Sequence, residues 1–276
     1  MKKMMKVLIL LVCMFFTVHT NSQTFKLVWS DEFNGKGAPD PAKWDYELGY
    51  VRNNELQYYT KSMDNARQHK GNLEITVRKE QIKGTKDGKA ETFDYSSGSV
   101  ITLNKADWTY GKIEGRFKIP QGKGLWACFW TLGSNITQIG WPKCGEIDIF
   151  EHINSETLIH GTAHWADESS KHVMKGADSP EFDVTKWHNY SIVWTPASIK
   201  WYIDEVQFHE VSILDGVNST QEFHMPHYIL INLPIGGSWP GSPDETTKLP
   251  ATLYCDYIRV YEIVSPLNNS GGSNNN

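Results

Sequence analysis

The sequence predicts an all-β fold, a sandwich of packed antiparallel sheets. Short runs alternate apolar and polar residues at period two, and Gly, Pro, Asn and Asp punctuate the gaps between them. No stretch carries the periodicity of a long amphipathic helix. Leu73–Arg78 alternates cleanly, and so does Lys112–Ile119, which stops at Pro120, a residue with no N–H for a ladder. Tyr190–Trp194 and Ile199–Ile203 flank Thr195-Pro196-Ala197-Ser198, a hairpin turn with proline second. Tyr228–Asn232 is an apolar strand ending in a polar group, and Tyr254–Tyr261 closes the set. Many short strands separated by turn signals argue for a sandwich.

The chain has 276 residues, 39% of them hydrophobic, enough for one large all-β domain or two small ones. Strand signals run without a linker, so residues 23–264 are expected to form one domain. Before it, Lys2, Lys3 and Lys6 precede the apolar run Val7–Val18. That pattern predicts a signal peptide over residues 1–22, cleaved near Ser22, and a secreted or periplasmic product. The run is too short for a comfortable membrane span, and Cys13 follows Val12, which argues against a lipid anchor. Residues 265–276 are low in complexity and expected to be disordered. A net charge of -5 with no basic stripe excludes nucleic acid as a partner. No partner-binding segment stands out, so a monomer is expected. Past the leader, Cys128, Cys144 and Cys255 remain. An odd count leaves at least one unpaired, and all three are expected to be buried as small apolar residues.

The most informative stretch is Trp141-Pro-Lys-Cys-Gly-Glu146-Ile-Asp148-Ile-Phe-Glu151-His152. Three carboxylates are spaced by Ile147, Ile149 and Phe150, which predicts a buried strand. Alternation puts Glu146 and Asp148 on one face and Glu151 on the other. One extra residue, a β-bulge between Asp148 and Glu151, would return Glu151 to the shared face. Three acids on one face repel each other, and a chain that keeps them uses them for chemistry or a metal. An edge strand with its acids in water is the plain alternative. A cation held by Asp148 with His152, His160 or His164 is another. The pattern fits best a carboxylate pair flanking a glycosidic bond, with the third acid as helper. The chain also holds 11 Trp, 12 Tyr and 11 Phe. Several must fill the core, and others are candidate platforms for sugar rings, whose C–H faces suit indole.

The run Gly145–Glu151 resembles the catalytic strand of glycoside hydrolase family 16, in the longer bulged form of its laminarinase, agarase and carrageenan-hydrolase branches. The laminarinase-like β-glucanases are further resembled by Leu27–Asn34, Asn53–Thr60, Gly124–Trp130, Gly161–His164, Asn232–Trp239 and Asp256–Tyr261. This resemblance spans nearly the whole chain after the leader. It implies a β-jelly roll with a concave sheet carrying a substrate cleft, and endo-hydrolysis of a β-1,3- or mixed-linkage glucan with retention. Glu146 is then the nucleophile, Glu151 the acid and base, and Asp148 their helper. Trp126, Trp130, Trp141, Trp165 and Trp239 become candidate sugar contacts, with Asn54, Glu55, His164 and Asn232 as hydroxyl partners. Glu32, Gly71 and Asp256 match a structural calcium site, and no catalytic cofactor is implied. Two departures bear on which glucan is cut. Ser96-Ser97-Gly98-Ser99 lacks an arginine that many laminarinases carry, and Trp165 follows His164.

Carboxyl groups in a retaining enzyme stand about 5–5.5 Å apart, whereas four steps of flat strand span roughly 13 Å. The two glutamates must therefore lean together over a bent strand. A galactan hydrolase of the agarase or carrageenase kind is the nearest alternative. Sulfated polymers call for a basic cleft, which an acidic chain does not suggest. A transglycosylase would use the same residues. A non-catalytic binding module would have no reason to keep both glutamates.

Overall fold

The computed structural model describes residues 24–264, so the expected leader and tail lie outside the described residues. Strands are numbered in chain order. One sheet runs β15 (Val206–Ser212), β14 (Ser198–Ile203), β13 (His188–Trp194), β8 (Gly111–Lys118), β17 (Ala251–Val264), β5 (Asn72–Lys86), β6 (Lys89–Ser97) and β3 (Gln57–Tyr59). On it, β1 (Thr24–Asp31) pairs with β17, and β4 (Ala66–His69) with β5. The other sheet runs β12 (His172–Asp178), β11 (His160–Ala166), β10 (Glu146–Ile153), β9 (Trp126–Gly133), β16 (His227–Asn232), β7 (Ser99–Ile101) and β2 (Asp45–Tyr46). Pairing is antiparallel except between β3 and β6. Among the described residues the single α-helix is one turn, Ile136–Ile139. The predicted all-β jelly-roll sandwich is what forms.

Alternate residues of each sheet point into the space between them. Phe117 of β8 and Phe129 of β9 meet with ring centroids 4.9 Å apart, and Phe150 of β10 lies 4.6 Å from Tyr190 of β13. Each such ring contributes about 2–3 kcal/mol by leaving water. Part of the aromatic surplus is spent here, with Trp44, Trp194 and Trp201 fully buried. Buried indoles need an acceptor, and Trp44 Nε1 donates to Asp31 Oδ2 at 2.8 Å. Cys128, Cys144 and Cys255 are free and buried, as expected.

β10 carries the expected bulge. Asp148 faces Trp130 of β9 and Phe150 faces Phe129, so Ile149 is the extra residue. Ile149 and Phe150 both sit in the intersheet core. A bulge frees backbone groups from the ladder. The Asp148 carbonyl accepts instead from Trp201 Nε1 of β14, in the facing sheet, at 2.7 Å. Gly145 permits the sharp entry to β10. Its φ is +76°, and a Cβ there would stand 2.8 Å from Glu222 Cβ.

Candidate active site

With one residue absorbed by the bulge, Glu146, Asp148 and Glu151 share the sheet face turned away from the core. All three line one cavity of about 270 Å³. Across β11 they face His164, Thr162 and His160 in register. Each glutamate holds one indole. Trp141 Nε1 donates to Glu146 Oε2 at 2.9 Å, and Trp126 Nε1 donates to Glu151 Oε1 at 3.0 Å. His164 Nε2 stands 3.0 Å from Asp148 Oδ2 and 3.8 Å from Glu146 Oε1. The Asp148 approach lies off line for a hydrogen bond, so Asp148 Oδ2 has no hydrogen-bond partner among the described residues. The other nitrogen of His164 is fixed by His172 Nε2 at 2.8 Å.

Burial pushes all three carboxyls toward their protonated forms, and neighbouring carboxylates add to it for Glu146 and Glu151. Glu146 is pushed up to about 8 by burial and by Asp148, against the pull of His164, Arg52 and the Trp141 N–H. Glu151 is raised well above its ordinary value by burial and by two neighbouring carboxylates, Asp148 and Glu146. Two carboxylates oppose an ionised Glu151, whereas Asp148 alone opposes an ionised Glu146 and Arg52 favours it, so when one of the pair ionises the surroundings favour Glu146, the division that a nucleophile and an acid require.

The remaining expected residues divide. Glu55, Asn232, Trp126, Trp130 and Trp141 line the cavity beside the acids. His164 and Trp239 line a second, broader hollow of about 680 Å³, which shares Glu146, Glu151, Trp126 and Trp141 with the first. Trp130 is only 6% exposed, and its Nε1 donates to Asn232 Oδ1 at 2.8 Å. It is a wall rather than an open platform. Trp165 does not belong to the cleft. Alternation turns it away from His164 into the core, where its Nε1 donates to the Asn218 carbonyl at 2.8 Å. Asn54 is turned toward Ser238, donating from Nδ2 to Oγ at 3.2 Å, and its neighbour Asn53 lines the cavity instead. Of the histidines near the acid run, His152 is wholly buried, its Nε2 donating to the Glu156 carbonyl at 2.9 Å, and His160 is held by Glu156 and Asp178. Only His164 approaches the acids. Glu146, Asp148 and His164 bring donor atoms within 4.8 Å of one another. A cation there would cover the oxygens that must attack and carry charge.

Several residues around the expected Glu55 were not anticipated. Glu55 is 3% exposed and accepts from Gln57 Nε2 at 2.6 Å and from Asn53 Nδ2 at 3.3 Å. Burial pushes its carboxyl up to about 7, against the pull of Arg52. Tyr59 accepts from Asn232 Nδ2 at 2.9 Å. Glu55, Gln57 and Tyr59 are buried at period two, a signal that extends from Glu55 to its two companions. Arg52 pairs with Glu47, whose other oxygen accepts from Ser99 Oγ at 2.8 Å. The Ser99 and Asn232 contacts, distant in sequence from Glu47 and Tyr59, leave no local pattern.

The expected calcium ligands are engaged otherwise through their side chains. Arg259 holds Glu32 with two bonds, at 2.9 and 2.8 Å, and Arg116 holds Asp256 at 2.8 Å. The carboxylates of that donor set are thus already neutralised.

Comparison with known proteins gives the same architecture and the same stretch. A solved endo-β-1,3-glucanase from Pyrococcus furiosus is similar at 40% identity with a TM-score of 0.78, covering 88% of this chain and 97% of that one. A β-glucanase of Rhodothermus marinus is 36% identical over 256 residues, 87% of this chain and 86% of that protein. The clotting factor G alpha subunit of Tachypleus tridentatus is also 36% identical, over 246 residues, but this chain spans only 34% of it. The model of the glycosyl hydrolases of family 16 matches residues 53–259, from the wall loop through the acid strand to the closing strand, and the chain belongs to that family.

Proposed function

We propose that this protein is a retaining endo-glycosidase that hydrolyses β-1,3- or mixed-linkage β-1,3/1,4-glucan. The observation that carries this is the bulge, which sets Glu146 and Glu151 on one cavity wall with unequal electrostatic surroundings. Similarity to β-1,3-glucanases over most of the chain supports the substrate. Glu146 attacks the anomeric carbon as its carboxylate; burial and Asp148 oppose that form, and His164, Arg52 and the Trp141 N–H offset part of the cost. Glu151 donates its proton to the leaving oxygen as the glycosidic bond breaks, and the sugar remains on Glu146 as an ester. Glu151, now a carboxylate, takes a proton from water, whose oxygen attacks the same carbon and restores Glu146. Asp148, the most enclosed of the three at 2% exposed, holds negative charge or a proton against Glu146 as its charge changes. The Trp126 indole steadies Glu151 in both states.

The proposal includes export through the basic, apolar start of the chain, and a monomeric enzyme. It also includes a structural cation near Glu32, Gly71 and Asp256, resting on backbone carbonyl oxygens because Arg259 and Arg116 hold the side chains. Reducing-sugar release from laminarin, curdlan, barley glucan, agarose and carrageenan tests the activity, with Glu146→Gln and Glu151→Gln alongside. Release from laminarin or barley glucan, lost in both variants, is the expected result. Release from agarose or carrageenan alone would replace glucan by galactan, and binding without cleavage of any polymer would sink the hydrolase.

A further inference from the structure

Two side chains that flank the nucleophile rest on one residue that takes no part in bond breaking. His172 lies on β12, the outermost strand of the cleft sheet, and lines the broader hollow with Trp141 and His164. Its Nε2 meets His164 Nδ1 at 2.8 Å, and the two rings are nearly coplanar, 17° apart with centroids at 5.1 Å. That is the geometry of an in-plane N–H···N bond rather than of face-to-face stacking. Met174, not His172, stands opposite His164 in the ladder, so the contact runs diagonally from β12 to β11. The same imidazole lies 4.5 Å from the Trp141 ring, tilted by 43°. Trp141 Nε1 donates to Glu146 Oε2, and His164 Nε2 stands 3.8 Å from Glu146 Oε1. His172 thus backs the group beside each oxygen of the nucleophile.

The two supports need backing for different reasons. Trp141 is 48% exposed, and an exposed side chain changes rotamer freely unless a neighbour limits it. His164 favours a carboxylate only while Nε2 carries a proton, and the bond made by its other nitrogen decides that. A His172 with its proton on Nε2 donates to a neutral His164. With its proton on Nδ1 it accepts from a His164 that carries two. In both cases the proton on His164 Nε2 stays on the side of the acids. Partial burial and the neighbouring His164 hold His172 below its ordinary value, which keeps the ring neutral for either role.

We propose that His172 is a positioning residue for the hydrolysis, holding Trp141 and His164 against the two oxygens of Glu146 so that this carboxylate is in place when it attacks. This rests on the glycosidase reading above. The test reads Glu146 directly, with a laminaribiosyl fluoride that has fluorine in place of the hydroxyl next to the anomeric carbon. The bond from Glu146 to the anomeric carbon forms as the carbon–fluorine bond breaks, and fluoride leaves with little need of the general acid. The first-order rate of ester formation, followed by intact mass, is measured for wild type, His172→Phe and His172→Gln, with kcat and KM on laminarin alongside. Molecules that fail to fold lower the amount of ester but not this rate, so a merely structural role does not move it. His172→Phe keeps a ring against Trp141 and loses the bond to His164. Loss of that hydrogen bond predicts a rate lower by roughly 3- to 10-fold, a similar fall in kcat, and KM within about twofold. His172→Gln, whose amide can donate or accept, is expected to recover the rate to within about twofold of wild type. His172 is exposed on an edge strand, so both variants are expected to fold. An unchanged rate of ester formation in His172→Phe overturns the inference, as does a loss confined to KM, which would make His172 a wall of the hollow and nothing more. Equal losses in the two variants overturn the part played by the hydrogen bond. A wild type that takes no ester overturns Glu146 as nucleophile, and this inference with it.

Discussion

On the side of the acid strand toward β9 and β16, Glu55, Asn232 and Trp130 are 3%, 2% and 6% exposed and joined to fixed neighbours. On the side toward β11 and β12, Trp141, Met174 and Trp239 are 48%, 58% and 43% exposed. The first wall is a hydrogen-bonded frame with its geometry set before any sugar arrives. The second is an open apolar surface, two indoles and a thioether, that a sugar can slide across. A preorganised frame discriminates, because a wrong ligand leaves its buried groups unpaired. An open apolar surface holds many sugars through their common C–H faces. The acids lie on the seam between the two.

The seam itself should give the largest effect. Glu151→Gln leaves both walls in place and is expected to lower kcat by roughly 10²–10⁴, as loss of a general acid does. KM for laminarin should stay within a few-fold. A large rise in KM would show that the seam and the walls are not separable.

A stability measurement sharpens the same boundary. Folding raises the Glu146 carboxyl from 4.5 to about 8, so the native state holds a proton that the unfolded chain releases. Stability is then lost as pH rises through that window, between about 4.5 and 8. Glu146→Gln, neutral at every pH, should flatten that slope and gain on the order of 2–5 kcal/mol at pH 8. Urea unfolding from pH 4 to 9 measures it, and parallel curves for the two proteins would contradict it.

The walls should respond differently to truncation. Asn232→Ala strips the partner from Trp130 Nε1 and from Tyr59. A loss of about 1–3 kcal/mol in stability is expected, with a rise in KM. Trp141→Ala, on the open side, should lower kcat/KM only about fivefold, near 1 kcal/mol, and hardly move Tm. If Trp141→Ala destabilises as much as Asn232→Ala, the contrast between frame and open surface fails.

The acid strand and its bulge were legible because the pattern there is local. Ile149 and Phe150, two apolar residues in succession between acids, have a single good solution, both in the core. The strands were legible in type but not in extent. Leu73–Arg78 is only the start of β5, which runs on to Lys86 because its exposed half pairs with β6 as a hairpin. That half buries little, so hydrophobic alternation does not announce it. Trp165 was misplaced through its neighbour: the residue after a cleft histidine must face the core. Arg52 and Trp201 meet Trp130 and the Asp148 carbonyl from far away in sequence, and no short window on the chain contains both members of those contacts.

Trp201 reaches further than its burial implies. The carbonyl beside the extra residue of β10 is tied to an indole rooted in the opposite layer. The spacing of the acids thus gauges how the two layers sit on each other. Warming that lets one layer glide over the other releases this tether while every strand is still paired. The extra residue can then migrate along β10 and take Glu151 to the wrong side. Turnover fades under such loosening ahead of any change in far-ultraviolet circular dichroism, which makes the working temperature of the molecule a property of its layer contact rather than of its sheets.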